Sequence, residues 1–140
     1  MTRNAMKLRN RLALRAALGA LAASCVVVPV AAQAPELGML GTLQPGSWTL
    51  RLRDGSATQR ICVRNGRELI QLRHRQPNCE RFVVQDEARE VTVQYTCRGN
   101  GYGRTTIRHE SNALVQIRSR GIEGGAPFSI DGEARRTGSC

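Results

Sequence analysis

Residues 91–107 read VTVQYTCRGNGYGRTTI, and their alternation decides the fold class. Val91, Val93, Tyr95 and Cys97 interleave with Thr92, Gln94 and Thr96, the period-two pattern of a strand with one apolar face and one wet face. Arg98-Gly99-Asn100-Gly101-Tyr102-Gly103 follows, and its glycines suit a reversal that needs positive φ. Arg104–Ile107 then resumes a β-branched run, so the stretch predicts a hairpin whose first strand ends in a cysteine.

The same alternation extends in both directions. Upstream, Trp48, Leu50 and Leu52 alternate with Thr49, Arg51 and Arg53, Asp54-Gly55 signals a turn, and Ser56–Val63 reads as a second strand with Cys62 facing away from its apolar row. Asn65 and Glu68 stand in capping-box spacing before Leu69, Ile70 and Leu72, which predicts a short helical insert ended by Pro77. Cys79–Val84 and Glu90–Cys97 follow as strands. Downstream, Ala113–Arg118 alternates again, Gly121–Pro127 reads as a longer glycine-rich loop, and Phe128–Ile130 opens a last strand toward Arg135 and Arg136. Seven short strands at regular spacing predict an all-β fold, a small antiparallel barrel or sandwich with one helical insert.

The N-terminus reads differently. Arg3, Lys7, Arg9, Arg11 and Arg15 precede an uncharged run from Ala16 to Val30 and the small residues Ala31, Ala32 and Ala34, the pattern of a secretory signal peptide over 1–32. A spanning helix competes, but the run is shorter than the roughly 20 residues a bilayer core needs. Leu21-Ala22-Ala23-Ser24-Cys25 loosely resembles a lipobox, yet apolar Val26–Val30 continues past it, so lipid anchoring at Cys25 is disfavoured. Residues 33–45, without a clear period, read as an N-terminal arm, and 46–140 as a single β domain with no transmembrane span.

Cleavage after Ala32 sets the charge balance. The chain holds 21 Lys+Arg and 11 Asp+Glu; five of the basic residues lie in the leader, so 16, all arginine, remain against 11 acids. Much of the apparent basicity belongs to the targeting segment, and a nucleic-acid partner is not expected. About 108 residues form one modest core, which four cysteines in an exported chain would supplement as disulfides.

Pro45-Gly46-Ser47-Trp48, Cys62-Val63 before the insert, Cys79, Tyr95-Thr96-Cys97 with its glycine-rich turn, and Ala134-Arg135-Arg136-Thr137-Gly138-Ser139-Cys140 together resemble the bacterial exported family catalogued as domain of unknown function 3617. The resemblance covers about residues 45–140 and implies an exported, periplasmic or secreted protein of Gram-negative bacteria; it supplies no catalytic residues. Gly46-Ser47-Trp48 is also similar to the Gly-x-Trp of lipocalin-like barrels, which implies that Arg135 or Arg136 stacks on Trp48 to close one end.

Chemistry-bearing motifs are sparse. Cys62, Cys79, Cys97 and Cys140 lack a C-x-x-C pair, so disulfides are expected rather than zinc. Pairing Cys62 with Cys79 and Cys97 with Cys140 would clamp the insert at its base and tie down the last residues; the competing pairing joins Cys62 to Cys97 and Cys79 to Cys140. No metal or cofactor is expected, and no catalytic residue is assigned; His74 and His109 read as surface histidines. Arg64, Arg67, Arg73, His74 and Arg75 form a candidate patch for an anionic envelope polymer or lipid head group. A barrel interior could instead hold a small apolar ligand, although small barrels are usually filled by side chains. The expectation is a non-catalytic envelope binding or interaction module, with a purely structural protein and an enzyme as the alternatives. A binding module requires an apolar pocket or a continuous arginine face; an enzyme requires His74 or His109 set in a cleft against a carboxylate or Ser111.

Overall fold

The structure, a computed structural model, describes residues 37–140. The expected signal peptide, the Cys25 lipobox and residues 33–36 of the arm lie outside the described residues. One helical turn, α1 (Gly38–Gly41), precedes seven strands: β1 (Gly46–Leu52), β2 (Gln59–Val63), β3 (Cys79–Asp86), β4 (Glu90–Cys97), β5 (Gly101–Ser111), β6 (Leu114–Glu123) and β7 (Ala126–Gly138). They form one antiparallel sheet in the order β2-β1-β7-β6-β5-β4-β3. The predicted all-β, seven-stranded class holds, but the sheet is open: β2 and β3 are its two edges and do not pair. Among the described residues, no helix is long and apolar enough to cross a membrane.

Parity along each strand builds the core. Trp48 and Leu50, Val91, Val93, Tyr95 and Cys97, Ile107, Val115 and Ile117, and Ala134 all turn to one face and are buried. That face is covered by segments that the sequence left as an arm and an insert. Leu37, Met39, Leu40 and Leu43 are core residues, so the described part of the arm is integral to the domain. Residues 64–78, crossing from β2 at one edge to β3 at the other, bury Leu69 and Ile70. The expected helix there is a single 3-10 turn, Arg67–Leu69, started by Gly66 at φ 79°, where a side chain would collide with Leu40. Glu68 still reaches back as foreseen, accepting from the Arg64 and Asn65 amides at 3.2 and 3.4 Å. The crossing segment thus occupies the space an apolar ligand would take inside a closed barrel.

Two glycine-rich stretches are tighter than the sequence implied. β5 starts at Gly101, and Gly103 is a strand residue opposite both Tyr95 and Gly121, kept bare because the Tyr95 ring lies over it. The expected loop over 121–127 reduces to the two-residue turn Gly124-Gly125, at φ 55° and 85°.

All four domain cysteines are oxidised, but in neither of the foreseen pairings: Cys62 bonds Cys140 and Cys79 bonds Cys97. Strand order and face explain the difference. Cys62 and Cys79 lie on opposite edges of the sheet, whereas Cys79 stands directly across the β3–β4 ladder from Cys97. Cys97 points to the core, while Cys62 and Cys140 are exposed, their bridge crossing the start of β1, where Ser47 faces both Cys62 and Gly138. Each edge strand is therefore covalently tied. The bridges are consistent with an extracellular or periplasmic protein, since cytosolic thiols are normally kept reduced.

Candidate functional site

The predicted basic patch loses its histidine. Arg64, Arg67, Arg73 and Arg75 are exposed on the crossing segment, but His74 is completely buried, against the expectation of a surface histidine. Its ring stands edge-on to Tyr95 and Phe128, whose own rings lie over Gly103 and against Gly121. Nε2 lies 3.0 Å from the Ile122 carbonyl and 3.3 Å from that of Asn100; both can only accept, so Nε2 carries the proton and Nδ1 accepts from the Tyr95 hydroxyl at 3.1 Å. Burial raises the Tyr95 phenol above its ordinary value; the Ser119 hydroxyl opposes this and the Glu123 carboxylate adds to it. Thr105 extends the buried network, donating to Ile70 O at 2.7 Å and lying 2.7 Å from Ser119. These are structural hydrogen bonds that seat the crossing segment.

Of the patch's arginines, one is paired, and Arg64, Arg67 and Arg75 form no ion pair among the described residues. Arg73 pairs with Glu123 at 2.6 Å and is neutralised locally. Arg67 stands near Arg81, whose guanidinium is lowered below the ordinary arginine value by burial first and by Arg67 second. Arg73 and Arg75 also edge an open cleft of about 530 Å³ with Leu72, Phe128 and Ile130, where Asp54 and Glu123 balance the charge. His109 meets Asn112 at 2.9 Å rather than a carboxylate or Ser111. No group of three metal-ligating side chains occurs among the described residues.

The proposed closure by Trp48 is replaced by other bonds. Trp48 does stand opposite Arg136 in the β1–β7 ladder, but its indole donates to Gln44 O at 3.0 Å, and Arg136 Nε donates to Pro45 O at 2.9 Å, beside Gly46. Arg135 reaches toward Glu133 at 3.8 Å. The aromatic contacts among the described residues centre on His74 and leave Trp48 out.

A second basic surface lies on the outer face of the sheet, and the insert-centred reading missed it. Register aligns its residues into rows. Arg104 on β5 stands directly opposite Arg120 on β6, with Gln94 on one side and Ser129 on the other. The next row holds Thr92, Thr106, Arg118 and Asp131, and the row beyond that Glu90, Arg108, Gln116 and Glu133. Asp131 is engaged by Arg53 at 2.9 Å and Arg108 by Glu110 at 2.7 Å. Arg104, Arg118 and Arg120 form no ion pair among the described residues. A groove of about 340 Å³ starts at Arg118 and runs away from Arg104 and Arg120, between Arg108, Glu90, Arg53 and Asp131. The signal was present in the alternating arginines at 104 and 108 and at 118 and 120, but only register shows that two of them face each other.

A comparison of the chain with known protein families, with curated proteins and with solved structures returns no match.

Proposed function

We propose that the outer sheet face binds anions, and that the chain is a non-catalytic module for a phosphate- or carboxylate-rich component of the cell envelope. The observation that carries this reading is the pair Arg104 and Arg120, placed opposite each other with Arg118 alongside and no carboxylate bound to any of the three. Like charges directly opposed across a ladder destabilise a sheet, and a single exchanged residue would remove the cost. A polyanion turns the same arrangement into attraction. The resemblance to an exported bacterial family and the leader read at residues 1–32 support a periplasmic or secreted setting, where such polymers and head groups occur.

Inorganic polyphosphate serves as the probe. Arg104→Gln with Arg120→Gln is expected to weaken its binding by roughly tenfold to thirtyfold at low salt, at about 1 kcal/mol per arginine, and to flatten the salt dependence. Unchanged affinity in a folded double variant would sink the reading.

A further inference from the structure

Resting on that reading, we infer that the partner of the arginine face is a bilayer of anionic phospholipid, entered at the end of the sheet where Tyr102, Ile122 and Pro127 stand side by side. These three form one row across β5, β6 and β7, immediately beside the row of Arg104, Arg120 and Ser129. Tyr102 is 48% exposed and Pro127 is exposed, so the row presents apolar surface rather than filling the core. Phe82, at 70% exposure, extends the arginine row at the β3 edge, opposite Gln94.

Successive rows on one face are two residues apart, about 7 Å along the strand. The apolar row therefore leads the cationic row by the depth at which an interfacial element seats its apolar groups, about 5 to 10 Å into the headgroup and acyl boundary. Arginines one row behind then stand at the height of the phosphates, and an aromatic hydroxyl such as that of Tyr102 suits the interface between them. Two carboxylates lie near this end. Glu123 turns to the other face and binds Arg73; exposed Glu80 ends the same row at the β3 edge, beyond Thr96, so the Tyr102–Pro127 side of the row enters first and Glu80 stays at its margin. A soluble polyanion would use the arginines and gain nothing from the row ahead of them; a bilayer uses both.

The test takes the chain from Gln33 onward, which contains the entire described core and both disulfides and omits the apolar leader. Its sedimentation with phosphatidylcholine vesicles, and with the same vesicles containing phosphatidylglycerol, is measured beside polyphosphate binding. The protein is expected to bind the anionic vesicles alone. Arg104→Gln with Arg120→Gln is expected to lose about tenfold or more in both assays. Tyr102→Ser with Ile122→Ser is expected to lose about tenfold on vesicles and less than about twofold on polyphosphate, with circular dichroism confirming that each variant is folded. Should this double serine variant sediment like the parent, or should the parent fail to prefer anionic vesicles, the bilayer assignment falls while polyphosphate binding keeps the anion-binding reading alive. Should the arginine variant bind both probes like the parent, both fall.

Discussion

His74 Nδ1 lies 3.1 Å from the Tyr95 hydroxyl, with the rings edge to face and their centroids 5.3 Å apart, and this contact locks the crossing segment to the middle of the sheet. Truncating His74 leaves a cavity and removes the partner of the Tyr95 hydroxyl and a donor to the Ile122 carbonyl, while the Asn100 carbonyl keeps the Gly124 amide at 3.0 Å. His74→Ala is therefore expected to cost about 2 to 4 kcal/mol in urea unfolding. His74→Phe restores volume without the hydrogen bonds and should recover part of that loss. A cost below about 0.5 kcal/mol for the alanine variant, the level of an ordinary surface change, would show that the network does not hold the segment.

Two strand glycines, one beneath the Tyr95 ring and one at the end of β7, make a paired test. An added Cβ at Gly103 meets the Tyr95 ring, whereas at Gly138 it meets nothing within 4 Å. Gly103→Ala is expected to lower stability by about 1 to 3 kcal/mol through overpacking, and Gly138→Ala to stay within about 0.5 kcal/mol of the parent. Thermal melts of the two variants side by side decide it; equal melting temperatures would contradict the packing described for Tyr95.

Non-reducing peptide mapping should recover Cys62 linked to Cys140 and Cys79 linked to Cys97. The bridges span 78 and 18 residues, for which loop entropy gives about 4.5 and 3 kcal/mol. The shorter loop lies inside the longer, so the two contributions do not simply add. Reduction is expected to remove most of a domain stability of about 5 to 15 kcal/mol. A reduced protein that keeps its urea midpoint would refute this.

Tyr95 gives the chain an alkaline limit. Its phenol releases its proton at the ordinary value of 10.0 when unfolded and above that when folded, chiefly because burial disfavours the phenolate. Below pH 10 both states hold the proton and the contribution to stability is complete; above it the unfolded state binds fewer protons, so stability falls as pH rises through the folded value. In Tyr102→Phe, the ultraviolet phenolate signal belongs to Tyr95 alone. It should titrate above 10.0, and a midpoint at or below that value would contradict the burial.

Arg104→Glu separates function from stability. It converts an opposed pair of like charges into an attractive pair with Arg120, worth about 0.2 to 1 kcal/mol, while removing positive charge from the proposed binding face. The expected result is a slightly higher urea midpoint and weaker polyphosphate binding. A variant that gains stability and still binds as tightly as the parent would identify the arginines as merely solvated.

Local pattern was enough to read the strands and their faces. The alternation around Trp48, Val91–Cys97 and Val115–Ile117 placed seven strands and most of the core, because side-chain parity depends only on neighbours in sequence. What depended on distant partners was not legible. Nothing local to Leu37–Leu43 shows that a core lies ready to receive it, and nothing in Arg73-His74-Arg75 reveals that Tyr95, Phe128 and two backbone carbonyls wait for the middle residue. The disulfides were half visible. Cys62 already read as facing away from its apolar row, and Cys97 as belonging to one, which by itself sets those two apart.

The placement of β1 between β2 and β7 also sets a timetable. A polypeptide is made from its N-terminus, so the first hairpin exists as a free-standing piece until the strand that flanks it, the seventh, has emerged. Cys62 meanwhile remains a thiol in search of residue 140, and the first cysteine to follow it is Cys79, whose native partner arrives 18 residues later. Bridge formation in order of emergence would join the two opposite edges of the sheet. Maturation of this domain therefore calls either for oxidation slower than chain completion or for a thiol isomerase that undoes the early mispairing.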